Sequence, residues 1–448
     1  MEGMGEYMKI MNKLKVVIMM IFLMLLVSSC SYLEKPEAIE EENIVKEEVK
    51  IEEIEKVSFN TIESTFVRLD EIGSRLIGTE GNNSFSREIK TYLNDNFKDA
   101  ELFLQPYTIS LTDEYNVIVK SGSQQIVFSN TDSICKYINK GKLTETAKIT
   151  NTLDNLDKSI SYIFITDDIK KQDISKEYSN ICLSLLVVDE IFLGQNVIKV
   201  KPDIPTIMNI NKETAENLLN IKDTAEMTID IKNKEIELEN IIAVIKGKSS
   251  NNAIVVTSHM DTTTALGNNY SKGAIDNGSG NSLNLDLLRK VYEAGNTSNY
   301  DIVFALVNSE EGFLTRSSSG SMQLNDMLAQ KYENILNINL DCLGEKNIDK
   351  LSYGFDGNVN SDMINYIITS QEIEGFNLEK AEYYTSDNLS FENSIYFYNF
   401  DYHGENRAIH TERDTFDMVD FNSLEKISVF VYNILSELIK LDGEALFK

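Results

Sequence analysis

Ala253-Ile254-Val255-Val256-Thr257-Ser258-His259-Met260-Asp261 opens on an unbroken apolar and β-branched run and ends in polar, chemically active residues. A strand buried on both faces needs such a run, and strands of that kind belong to parallel sheets covered by helices. Downstream, Leu283, Leu287 and Val291 recur at helical spacing, with Gly295 as a stop. Residues 302–307 and 335–340 read as two further strands, and 241–245 as one upstream. This alternation predicts an α/β fold: a mainly parallel central sheet flanked by helices. A last helix should close the chain with Leu424, Ile427, Val431, Ile434 and Leu438 inward, capped in box fashion by Asn422 and Glu425.

Toward the N-terminus, Ile62, Phe66 and Leu69 mark a helix, 73–82 a glycine-punctuated loop, and Phe85, Ile89, Tyr92 and Leu93 one face of a second helix. From about 101 to 235 the pattern changes to short β-like runs such as Tyr162-Ile163-Phe164-Ile165 and 183–188. We expect an inserted β-rich lobe at 105–235 within a main domain of 58–104 and 236–448. No internal repeat is visible.

Residues 1–30 carry a targeting signal. Lys9, Lys13 and Lys15 precede an apolar run at 16–27 that is too short to span a bilayer, so it reads as a secretory signal. Val27-Ser28-Ser29-Cys30 resembles the lipobox of bacterial lipoproteins, which implies a lipidated Cys30 and a location on the extracytoplasmic face of the cell membrane. The acidic Glu2 and Glu6 sit oddly ahead of such a signal and fit a start at Met8 or Met11. Residues 31–57 are rich in Glu and Lys and read as a solvated tether. With Cys30 lipidated, Cys135, Cys182 and Cys342 remain, an odd number from which no disulfide framework follows.

The 448 residues, 42% of them hydrophobic, are enough for one large domain plus an insertion. A formal net charge of −29 repels phosphate backbones and argues against nucleic acid as a partner.

In an open α/β sheet, catalytic groups gather beyond the carboxyl ends of the strands. His259 and Asp261 end one strand, Glu310 and Glu311 the next, and Asp341 the third. Asp276 lies in the glycine-rich 273–280 loop and His410 in the loop before the closing helix. Two of the three histidines therefore sit among carboxylates at strand ends; His403 does not. Imidazole and carboxylate together suit zinc. In an extended segment residues i and i+2 share a side, so Asp261 is placed to brace the His259 ring from behind. Adjacent Glu310 and Glu311 should point in different directions.

His259-x-Asp261, Gly273-Ala274-x-Asp276-Asn277-x-Ser279-Gly280, Glu310-Glu311, Asn339-x-Asp341 and His410-Thr411-x-x-Asp414-Thr415 together resemble, in order, the motifs of the M28 family of zinc aminopeptidases. Gly73-Ser74-Arg75, Gly81-Asn82 and Asn240-Ile241-Ile242 resemble that family too, and the insertion looks like a protease-associated domain. The resemblance implies a zinc-exopeptidase fold and two zinc ions bridged by Asp276. His259 and Asp341 would complete one site, and Glu311 and His410 the other. Glu310 would be the general base toward a zinc-activated water, Asp261 the residue orienting His259, and peptides the substrates, cleaved at their N-terminal bond. Asp414 is expected to brace its own loop, outside the site.

Some residues depart from the family pattern. Ser309 stands where a glycine often precedes the Glu pair, the following Gly-Ser is delayed to Gly320-Ser321, and Ser386-Asp387-Asn388 and Asn393-Ser394-Ile395 replace the usual Ser-Asp-His and Gly-Ile-Pro. These touch pocket-lining regions and not the five candidate ligands, so they bear on substrate preference more than on hydrolysis; a carboxypeptidase, a glutaminyl-cyclase-like enzyme and a non-catalytic binding protein stand as alternatives on the same scaffold.

Overall fold

Successive residues of the central strands face two different cores. Ile254, Val256, Ile302, Phe304 and Leu306 belong to one; Ala253, Val255, Val303, Ala305 and Val307 belong to the other. Period-two side chains buried on both sides are what a sheet sandwiched between helices requires. The computed structural model of the chain describes residues 59–128, 133–139, 142–188, 199–201, 203–248, 251–263, 270–311, 319–400 and 407–447. The expected signal segment, Cys30, the acidic tether and His403 lie outside the described residues.

Helices α1 (Ile62–Ile72) and α2 (Glu80–Asn96) lead into β1 (Glu101–Ser121), β2 (Gln124–Phe128), β3 (Ile134–Ile138), β4 (Lys142–Thr150) and β5 (Ser161–Thr166). Next come α3 (Ile169–Ser175), β6 (Ile181–Val187), β7 (Lys199–Val200), β8 (Thr206–Ile210), α4 (Lys212–Leu219) and β9 (Ala225–Ile245). The second half runs β10 (Asn252–His259), α5 (Gly280–Ala294), β11 (Tyr300–Val307), α6 (Gly320–Leu328), β12 (Asn334–Leu340) and β13 (Lys350–Asp356). It ends with α7 (Ser361–Ser370), β14 (Asn377–Lys380), β15 (Ser394–Tyr398), α8 (Phe421–Leu438) and α9 (Gly443–Leu446).

The main sheet has the order β14-β13-β15-β12-β10-β11-β9. Its middle is parallel: β10 pairs in parallel with β11 and β12, and β12 with β15. Toward both edges it turns mixed, because β9 runs antiparallel to β11 and β13 antiparallel to β15. Helices α1, α2, α5 and α8 cover one face; α6 and Tyr332 cover the other.

Strands β1 and β9 form a long antiparallel ribbon, paired from Glu101↔Val244 to Lys120↔Glu226 with one register shift between Thr112 and Glu114. One end joins the main sheet through β11; the other pairs with β4, from which β5, β6, β8, β3 and β7 continue. That second sheet, with α3 and α4, encloses its own core of Val117, Ile163, Leu183, Met208 and Met227. The expected junctions at 104/105 and 235/236 therefore fall inside two continuous strands.

Two local expectations need correction. The 73–82 loop stops at Thr79, so Gly81 and Asn82 lie in the first turn of α2. The cap of α8 is Asp420, whose carboxylate accepts from the Asn422 and Ser423 amides; Asn422 is already helical. A carboxylate there satisfies two of the free first-turn amides and faces the positive end of the helix.

Candidate metal and catalytic site

The parallel middle of the sheet delivers the ends of β10, β11 and β12 to one place. His259 Nε2 stands 3.1 Å from Asp276 Oδ1 and 3.4 Å from Asp341 Oδ1. On the other side of Asp276, its Oδ2 is 2.9 Å from His410 Nε2, which is 3.4 Å from Glu311 Oε2. Asp276 thus spends one carboxylate oxygen on each histidine, so the five residues form two groups sharing one carboxylate. One atom each of His259, Glu310 and Glu311 also come within 4.8 Å of one another.

Four of the five are buried, with His259 at 0% and Asp341 at 4% exposure, while the His410 side chain keeps 23%. Yet His259 Nε2, Asp341 Oδ1 and Glu311 Oε1 have no hydrogen-bond partner. A buried polar atom left unpaired is costly. Zinc at about 2.0–2.1 Å from tetrahedral ligands spaces those ligand atoms roughly 3.3–3.4 Å apart, close to the separations found here. The donor set, the spacing and the orphaned atoms all fit divalent cations.

The charges tell the same story. Burial alone would lower the His259 pKa, but the Asp341, Asp261 and Asp276 carboxylates overcome it and hold the ring well above its ordinary value. Asp276 is held well below the carboxylate range in spite of its burial, by His259 and His410. Burial raises Glu310 and Glu311, and neighbouring carboxylates add to the effect in both. Without a metal, protons take the place of cations.

A scaffold of hydrogen bonds holds the ligands. His259 Nδ1 lies 3.1 Å from the main-chain oxygen of Asp261 and 3.7 Å from its Oδ1. That fixes Nδ1 as the protonated nitrogen and leaves Nε2 facing the cluster. The Asp261 carboxylate also accepts from the Glu310 and Glu311 amides, both at 3.1 Å, so it orients the two glutamates as much as the histidine. Tyr384 donates to Asp341 Oδ2 at 3.0 Å.

The Asp276 loop owes its shape to its sequence. Gly273 has φ +59°, and a Cβ there would stand 2.4 Å from Thr262 Cγ2, so only glycine fits. Asn277 Nδ2 donates to the Leu340 carbonyl, Gly280 N donates to Asn277 Oδ1, and Ser279 Oγ accepts from Leu343 N. The Asp276-Asn277 peptide is cis. Beneath the loop, fully buried Arg75 donates to the carbonyls of Met260, Lys272 and Gly273 at 2.8–2.9 Å. Burial lowers its pKa to about 10, and the nearby carboxylates of Asp414, Asp261 and Asp276 oppose that shift.

All seven expected site residues come together: His259, Asp276, Glu311, Asp341 and His410, with Glu310 and Asp261 against them. Asp414 does more than brace its own loop. Its two carboxylate oxygens accept from Ile275 N at 2.6 Å and Asp276 N at 3.1 Å, so it carries the loop of the shared ligand. Sequence reasoning missed this, and missed Tyr384, because neither contact has a local spacing. Asp387 is a third addition, buried to 2% exposure with both carboxylate oxygens unpaired and its pKa pushed up to about 7 by burial.

Residues 240–435 match the sequence model of Peptidase family M28. Over that stretch the chain is similar to the M28 peptidases. The whole M28 motif set found above falls inside that match, apart from the 73–82 segment. No protein of curated function matches the chain by sequence. Among solved structures, a zinc aminopeptidase from Bacillus subtilis shares 20% identity over 88% of this chain and 98% of its own, with a TM-score of 0.66. An aminopeptidase from Aneurinibacillus sp. strain AM-1 shares 16% identity over 85% and 94%, with a TM-score of 0.57. A peptidase M28 precursor from Shewanella amazonensis SB2B shares 15% over 88% and 95%, with a TM-score of 0.56. At these identities the likeness is one of fold, and it extends beyond residues 240–435 to 85–88% of the chain.

Proposed function

We propose that this chain is a two-zinc aminopeptidase that removes N-terminal residues from peptides. The observation that carries the reading is the set of orphaned buried atoms, His259 Nε2, Asp341 Oδ1 and Glu311 Oε1, arrayed around the shared Asp276. The family match and the aminopeptidase relatives of the same fold agree with it. His259, Asp276 and Asp341 would hold one zinc; Asp276, Glu311 and His410 the other. Bound there, two such cations supply the positive charge that acidifies water and polarises a scissile carbonyl.

The remaining work falls to the chain's own side chains. Glu310, a carboxylate whose burial strengthens it as a base, takes a proton from water as the new C–O bond forms. It then returns that proton to the departing amine nitrogen as the C–N bond breaks. Asp261 holds the Glu310 and Glu311 amides in place during the exchange, and Tyr384 holds Asp341. The lobe reads as a protease-associated-like body, and Cys30 as the lipid anchor that keeps the enzyme on the extracytoplasmic face.

The test is release of a fluorescent amine from a panel of aminoacyl amides by the full-length protein, with and without chelator. Turnover should vanish with chelator, return with zinc, and fall about 10²–10⁴-fold in Glu310→Gln with zinc content unchanged. Zinc-loaded protein silent across the whole panel would sink the aminopeptidase reading.

A further inference from the structure

Between two fixed points of the backbone lies one residue in a conformation it would not choose. Asn308 is fixed from several directions: its amide NH donates to Asn240 Oδ1 at 3.0 Å and its side chain forms a two-way pair with Asn82 at 3.0 and 3.1 Å. Its carbonyl accepts from Gly320 N at 3.0 Å. On the far side, Asp261 fixes the Glu310 and Glu311 amides. Ser309 joins the two, fully buried, with φ +58°. That left-handed region is open to glycine and strained for a residue with a Cβ. The torsions of Ser309 decide where the Glu310 side chain leaves the chain.

Tyr107, on β1, meets this bend. Its hydroxyl donates to the Asn308 carbonyl at 2.9 Å and lies 2.9 Å from Ser309 Oγ. A phenol has one hydrogen, so with that hydrogen on Asn308 the serine hydroxyl is the donor of the second bond. Burial holds Tyr107 well above its ordinary pKa, so it stays a neutral donor. Tyr107 pairs with Leu238 in the ribbon that runs on into the lobe.

We infer that Tyr107 is a positioning residue for Glu310: through Ser309 it holds the left-handed bend that aims the base at the metal cluster. The inference rests on the peptidase reading above and adds a residue to it. If it is right, the hydroxyl matters only while a side chain at 309 makes the bend strained. A glycine would keep the bend unaided.

Tyr107→Phe should therefore lower kcat about fivefold, the worth of one hydrogen bond, with KM and zinc content unchanged. In the Ser309→Gly background the same substitution should lower kcat less than about twofold, a coupling that independent structural damage does not produce. Amide hydrogen exchange across 309–311 should quicken in Tyr107→Phe and not further in the double variant. Equal losses in both backgrounds, no loss in the Ser309 background, or exchange that ignores residue 309 would each overturn the proposal. Absence of chelator-sensitive turnover in the unsubstituted enzyme would overturn the peptidase reading instead, and the exchange experiment would still decide the Tyr107–Ser309 coupling.

Discussion

The lobe and the catalytic sheet share a ribbon but are built on opposite principles. Among the described residues of 105–235, no Asp, Glu, Lys, Arg or His is buried, and the lobe core is Val117, Ile163, Leu183, Met208 and their like. The catalytic region buries Arg75, His259, Asp261, Asp276, Glu311, Asp341, Asp387 and Asp414. Burying charge is expensive, and a protein that spends stability on it in one region and avoids it in the neighbouring one marks where chemistry is done. The lobe should behave as ordinary packed protein, and the catalytic region as a charge cluster completed by cations.

The largest expected effect tests the lobe half of that contrast. Leu183→Ala removes a fully buried side chain from an apolar core and should cost about 2–5 kcal/mol. Thermal unfolding of chelated and zinc-loaded protein should show the same drop in Tm from the substitution. If zinc hides the loss, the lobe core is not independent of the metal site.

Asp414→Asn tests the other half. An amide in that position turns a donor toward the Ile275 or Asp276 NH and removes a charge that faces Arg75. Loss of such a supporting group should weaken zinc binding about 10–100-fold, measured by competition with a chromophoric chelator. Unchanged affinity would mean that the Asp276 loop holds its shape without Asp414.

The same contrast explains what could be read in advance. Much of the candidate site was legible because His259, Glu310, Glu311 and Asp341 sit at the ends of continuous apolar runs such as 253–257 and 335–340, where local pattern and strand end coincide. The ribbon was not legible as one element. Around Lys232-Asn233-Lys234-Glu235 it pairs with β1 but is open to solvent, so hydrophobic periodicity disappears and the expected domain boundary falls there. The sequence pattern assigns the cap to Asn422 where the structure has Asp420, because either residue suits a cap and only the backbone decides. Ser309 was noticed as a departure from glycine, but its partner Tyr107 lies 202 residues away in the chain, beyond any spacing rule.

The smallest expected effect is also the one whose sign discriminates best. In metal-free protein, burial pushes Asp387 and Asp414 up to about 7, against roughly 3.9 for an unfolded aspartate. Between those values the folded state binds more protons than the unfolded one, so stability falls as pH rises from about 4 to about 7. Glu310 and Glu311 are raised too and push the same way. The raised His259 adds stability below its unfolded pKa that is lost only as pH climbs through its higher folded value, again the same sign. Asp276 alone opposes, since its pKa is depressed, but its contribution changes only as pH falls below the ordinary aspartate range. Zinc replaces the protons and removes the penalty. The zinc-induced rise in Tm should therefore be greater at pH 7.5 than at pH 5.5, by on the order of 2–4 °C. Chelated protein that gains stability over the same range would mean that these carboxyls are solvated, and the contrast between the two regions would collapse.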